Sequence, residues 1–136
     1  MDSLAASLAT LPSFFLYFVG GVGLIASFTI LYARVTPHPE FALIRSGNIA
    51  AAIGVAGAQL GFVIPLAAVI TNSVSLVDLM AWGVVALLVQ LGGYLCARLI
   101  FPDLTAAIAE GRISQAIFLA GLSLSLGVLT AACMAG

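Results

Sequence analysis

The chain has 136 residues, 63% of them apolar and 7% charged, where soluble domains carry about 25% charge. With a mean hydropathy of +1.27, and with four Arg, no Lys and five acids, there is too little polar surface to cover a water-soluble fold. A net charge of -1 excludes the basic stripe that nucleic-acid binding needs.

Taken in order, the chain offers four apolar runs close to the 20 or so residues that cross a bilayer: residues 13–33, 49–70, 79–97 and 113–134. No charged residue falls inside any of them. Ahead of Phe14 stand Asp2 and no Arg or Lys, so the basic start of a cleaved signal peptide is missing and the first run reads as a retained helix. The expected fold is an all-α membrane protein, a single membrane domain over residues 1–136, with the lipid bilayer as its surroundings.

Arg34, Arg45, Arg98 and Arg112 all lie in or beside the first and third connections, residues 34–48 and 98–112. Short arginine-rich loops stay in the cytoplasm. Both termini are therefore expected outside it, in a multi-pass protein of the bacterial inner membrane. Each of these loops opens on proline (Pro37-His38-Pro39-Glu40; Pro102-Asp103-Leu104) and closes on Gly47 or Gly111, which is helix punctuation. Phe41 and Ile44, then Leu104 and Ile108, recur at helical spacing, so short helices at the membrane surface and irregular loops are both open readings. In the second connection Ser75-Leu76-Val77-Asp78 has the form of a capping box, with Asp78 expected to cap the third span.

Shifted by 64 residues, positions 31–70 match 95–134 at 14 of 40 positions, including Arg34 with Arg98, Gly47 with Gly111 and Gly57 with Gly121. Two tandem two-helix repeats follow, about 13–70 and about 79–134. Because each holds an even number of spans, the copies are parallel and related by an axis along the membrane normal. That symmetry can continue into a homo-oligomer.

Gln59 and Gln90 are the polar residues nearest mid-span, at similar depth. A hydrogen bond between them, of about 0.6 to 2 kcal/mol, is the structural reading, and a polar solute path is the functional one. Asn48 joins them as a candidate pore residue. No ionisable residue lies at mid-depth, where proton relays and ion-coupling sites put theirs. Gly54, Gly57 and Gly61, with Gly121 in the second repeat, are expected to let helices approach closely, as are Gly20, Gly21 and Gly23. Pro65 is expected to kink the second span. Trp82, Tyr17 and Phe14 read as interface anchors. Cys96 and Cys133 read as small core residues at opposite faces, too far apart for a disulfide. His38 with two distant cysteines makes no metal set, and no catalytic constellation or cofactor motif can be assembled.

The stretch Leu43-Ile44-Arg45-Ser46-Gly47-Asn48-Ile49-Ala50-Ala51-Ala52-Ile53, with Gly61-Phe62-Val63-Ile64-Pro65-Leu66-Ala67, Ser73-Val74-Ser75-Leu76-Val77-Asp78 and Trp82-Gly83, resembles the YjfL-like bacterial membrane proteins of domain-of-unknown-function family 350. In the second repeat, Pro102-Asp103-Leu104, Glu110-Gly111, Ala116-Ile117-Phe118-Leu119-Ala120 and Ala131-Ala132-Cys133-Met134 resemble the same family's end. Arg112 departs from the Asn that members often place after this glycine, so a Gly-Asn motif stands only at Gly47-Asn48. The resemblance implies a four-helix inner-membrane protein associated with envelope-stress or transport genes, without an assigned activity. Two functions are expected from different classes: a non-enzymatic, oligomer-forming component with a protein partner on the cytoplasmic loops, or a channel for ions or small solutes.

Overall fold

The computed structural model describes residues 2–36, 40–72 and 75–135. Among them the chain is helical and has no strands. The Pro37-His38-Pro39 stretch and Ser73-Val74 lie outside the described residues.

Four helical stretches are long and apolar enough to cross a membrane: Ser3–Val35, Ile49–Thr71, Leu76–Ile100 and Ile113–Met134. The first comprises α1 (Asp2–Ala9) and α2 (Leu11–Val35), joined at Thr10. Pro12 sits at the start of α2, where its missing N–H costs no helical bond. The leading helix α1 was not anticipated from sequence, because its Ser and Ala residues give it little apolar contrast. Its hydroxyls turn inward on the backbone, Ser7 Oγ donating to the Ser3 carbonyl at 2.9 Å and Thr10 Oγ1 to the Ser7 carbonyl at 2.6 Å.

The first arginine-bearing connection contains α3 (Glu40–Arg45) and the other α6 (Leu104–Ala109). Both connections are thus partly helical among the described residues. Each helix closes the same way. The Gly47 N–H reaches the Ile44 carbonyl at 3.0 Å and the Asn48 N–H the Leu43 carbonyl at 2.9 Å, while Gly111 and Arg112 reach Ile108 and Ala107 at 3.0 and 2.8 Å. This closure needs a left-handed residue after the helix. Gly47 (φ 91°) and Gly111 (φ 83°) supply it, where a residue with a Cβ costs about 1–2 kcal/mol.

The remaining long helices are α4 (Ile49–Asn72), α5 (Leu76–Ile100) and α7 (Ile113–Ala135). At the start of α5 the N-cap is Ser75, whose Oγ accepts the Asp78 N–H at 3.1 Å. Helices α2 and α5 run one way and α4 and α7 the other, so all four arginines gather at one end of the bundle.

Helix α4 is the hub, touching α2, α5 and α7, whereas α2 and α7 lie on opposite flanks with at most marginal contact. The tightest seam joins α4 to α7. A Cβ on Gly57 would strike Ala120, one on Gly61 the Ser123 carbonyl, and one on Gly127 the Gly61 carbonyl. Gly61 O is also the acceptor that Pro65, buried inside α4, leaves without its usual helical N–H. Seating the Gly127 backbone against it covers that oxygen. Gly54 makes ordinary contact with Leu119, 3.5 Å from its Cδ2. Gly121 does not join this seam: it is exposed, with nothing within 4 Å of a Cβ placed there.

On the other side of α4 an aromatic row ties three helices together. Phe62 stacks on Phe28 at 4.5 Å, and Tyr32 meets Tyr94 edge-on at 5.5 Å. The expected core placement of the cysteines is overturned, for Cys96 and Cys133 are both free and exposed. They sit on outward helix faces, which an evenly apolar span does not distinguish from inward ones.

Candidate functional site

Among the described residues the buried polar side chains gather in two layers, both toward the arginine end. The deeper layer holds the glutamines. Gln59 Nε2 donates to Thr29 Oγ1 on α2 at 3.1 Å, and Gln90 Nε2 to the Ser123 carbonyl on α7 at 3.1 Å. The expected bond between the two glutamines is not made. Equal depth brought them to one level, but Gln59 faces α2, while Gln90 enters the notch left by Gly61 at the α4–α7 seam, 2.8 Å from where a Gly61 Cβ would stand. Gln90 is buried and its Oε1 has no partner.

Gln59, Gln90 and Ser123 lie ten residues in from Ile49, Ile100 and Ile113, about 15 Å at 1.5 Å per residue. Beyond that level the buried side chains among the described residues, including Phe62, Pro65, Leu66, Val69, Leu79 and Ala86, are all apolar. The polar layer thus stops near mid-bundle.

The shallower layer sits where α3 and α6 close the bundle. Asn48 is placed here, outside the spans. Its Nδ2 donates to the Ile108 and Ala109 carbonyls at 2.9 and 3.3 Å, and its Oδ1 accepts the Ala51 N–H at 3.0 Å. One side chain therefore caps the start of α4 and the end of α6. Its counterpart Arg112 does something else, pairing with Asp103 at 3.3 Å and Glu110 at 2.7 Å in half-exposed ion pairs. The glycine turns flank a shallow polar hollow of about 320 Å³ that includes Asn48 and Glu110.

Sequence reasoning missed Glu40. It is 4% exposed, beside Tyr32 and Tyr94 at 2% and 1%, and the Tyr32 hydroxyl has no hydrogen-bond partner. The Arg98 guanidinium sits 6.0 Å from the Tyr94 ring centroid, a cation–π distance. The signal was available in the 64-residue register, which sets Glu40 opposite Leu104, itself 0% exposed. Position 40 is a core position filled by a carboxyl group.

Among the described residues no group of His, Cys, Asp and Glu could hold a metal ion, and His38 lies outside them. A bundle with four membrane-length apolar helices and no soluble lobe is a multi-pass integral membrane protein. The family model described as Domain of Unknown Function (DUF350) matches residues 6–134, and the chain belongs to that family. It is similar to the UPF0719 inner membrane protein YjfL of Escherichia coli K12, with 38% identity over 127 residues, 93% of this chain and 96% of the relative. The protein of the same name from Escherichia coli O157:H7 matches to the same extent. No solved structure matches.

Proposed function

We propose that this protein is a non-enzymatic, oligomer-forming component of the inner membrane, built from two tandem, parallel two-helix units and serving envelope or transport machinery as a structural subunit. The observation that carries this reading is the uneven use of the spans. Half of the apolar window of α4 is buried in the chain, but only 11% of the first span and 17% of α7. Lipid covers apolar surface as well as protein does, so exposure alone has little weight. Exposed small residues have more. Gly92 and Gly121 sit mid-helix with nothing within 4 Å, and a glycine there costs about 1 kcal/mol relative to alanine, which close approach of another helix offsets.

The repeat is supported by matching boundaries. Under the 64-residue shift Glu40–Arg45 falls on Leu104–Ala109, Ile49 on Ile113 and Gly47 on Gly111. It is supported again by two apolar grooves at the far end of the bundle. One, of about 180 Å³, is walled by Phe18, Gly21, Ile25, Leu66 and Ile70. The other, of about 330 Å³, is walled by their counterparts Trp82, Val85, Val89, Thr130 and Met134.

By the positive-inside rule the arginine end faces the cytoplasm and both termini face away from it, with α3 and α6 at the membrane surface and the hollow beside Asn48 open to a protein partner. A reporter after Met134 is expected to be active only outside the cytoplasm. Native mass spectrometry in mild detergent is expected to give a multiple of the chain mass, and a monomer at every detergent ratio overturns the assembly. A passive pore has less behind it, because the polar layers end near mid-bundle. Ion or solute flux in liposomes that is lost on Gln59→Leu or Gln90→Leu would reverse that ranking.

A further inference from the structure

We propose that copies join through α7 of one chain and α2 of the next, repeating between chains the α4–α5 contact made within each chain. This rests on the assembly reading above and names the surface that performs it.

The argument begins with α5 and its counterpart α2. Helix α5 buries Leu79, Gly83, Ala86, Gln90 and Tyr94 along one face. The 64-residue register maps these onto Phe15, Val19, Val22, Ala26 and Ile30. Every one of those is exposed, Val19 at 65%. In turn α2 buries Gly21, Phe28 and Tyr32, and their counterparts Val85, Gly92 and Cys96 are exposed. The two helices thus use opposite faces, and α2 leaves bare the face that α5 buries inside the chain, where Gly83 meets Leu24 and Tyr94 meets Tyr32 of α2 while Gln90 meets Gly61 of α4.

The same holds for α7. Helix α4 presents Gly57 and Gly61 inward, and Gly61 receives Gln90 of α5. Their counterparts on α7 are Gly121 and Ser125, both exposed and one helical turn apart. The counterpart of Gln90 is Ala26, also exposed. Within the chain a hub helix meets α5 at Gly61 and Gln90; the equivalent surfaces at Ser125 and Ala26 stand open on the two flanks that do not meet each other.

A second copy of this chain fits them, because chains in one membrane share one orientation. Helix α2 of a neighbour then runs antiparallel to α7, as α5 runs to α4. Small residues at Gly121, Ser125 and Ala26 let those backbones approach closely. The contact is head-to-tail, so it closes a ring when the rotation permits.

The test uses the full chain with Cys96→Ala and Cys133→Ala, expressed in native membranes from two differently tagged copies. One copy carries Ala26→Cys and the other Ser125→Cys, and a short thiol cross-linker is added. The expected result is a cross-linked pair bearing both tags, and none when Ala26→Cys is replaced by Leu88→Cys, which is exposed at similar depth on α5. Gly121→Leu is expected to leave the heat stability of the detergent-solubilised chain undiminished while lowering the oligomeric fraction at least tenfold. An oligomer that persists with no Ala26–Ser125 cross-link, or that ignores Gly121→Leu, overturns this interface and leaves the assembly standing. A monomer in native mass spectrometry overturns both.

Discussion

Helices α4 and α7 leave matching glycine turns, run in the same direction and lie against each other, yet α4 is surrounded and α7 is bare along its outer flank. The comparison teaches that a duplicated helix inherits its pattern but not its neighbours. Gly57 and Gly121 are the same residue in the same register. At Gly57 a side chain would run into Ala120; at Gly121 it would meet nothing.

The largest effect is expected from breaking that pair unequally. Gly57→Leu forces α4 and α7 apart and is expected to cost about 3 kcal/mol or more, the upper range for overpacking, read as loss of folded protein in a denaturant titration in detergent micelles. Gly121→Leu is expected to cost nothing and to gain up to about 1 kcal/mol, because it meets no neighbour and replaces a glycine inside a helix. Equal losses would mean that the seam does not lie where the glycines place it.

A second contrast sits where the short helices plug the bundle. Glu40 and Leu104 hold equivalent, buried positions, one ionisable and one apolar. Leu104→Glu puts a carboxyl among apolar neighbours and is expected to cost about 3 kcal/mol. Glu40→Leu places there the residue its counterpart already carries and is expected to cost less, about 1 kcal/mol. The same denaturant titration, run on both variants, sharpens the comparison: a Glu40→Leu loss as large as that of Leu104→Glu would show that the Glu40 carboxyl holds the two connections together.

These pairs also show how far the sequence could be read. The four spans were legible because about 20 apolar residues have few other fates, and their observed ends fall within a few residues of the expected ones except at the first, which starts at Ser3 and not at residue 13. The connections announced their closures through Gly47 and Gly111 but not their depth, so the burial of Glu40 had to come from the register with Leu104. Facing was the illegible quantity. A helix apolar all round carries no stripe to say which side is covered, and this is why Cys96 and Cys133 were misplaced inward. It is also why Gln59 and Gln90, at the proper level, were given each other instead of Thr29 and Ser123. Asn48 was legible as polar and as part of a Gly-Asn pair, while its role as a double cap depends on α6 arriving beside it from 60 residues away.

Asn48 and Arg112 extend the comparison at smaller cost. Asn48→Ala removes an N-cap and two bonds to the end of α6, expected at about 2 kcal/mol. Arg112→Ala removes only half-exposed ion pairs, expected at about 0.5 kcal/mol or less and smaller still in high salt. Thermal unfolding in detergent at low and high salt separates the two, since only the Arg112 effect depends on ionic strength.

Effects as small as that of Arg112 are expected at the glutamines, and their order runs against burial. Gln59 is only partly buried, but its bond to Thr29 Oγ1 joins two helices, and Gln59→Leu is expected to cost about 0.6 kcal/mol, the usual value for a side-chain bond between spans. Gln90 is 2% exposed, and Gln90→Leu removes its bond to the Ser123 carbonyl together with an Oε1 that has no partner. Losing the bond destabilises, and relieving the buried oxygen offsets it. The net is expected within about 0.5 kcal/mol of zero. A loss above about 2 kcal/mol at Gln90 in the same unfolding assay would mean that its Oε1 is engaged in the membrane, and the polar layer would then extend through the α4–α7 seam instead of ending at it.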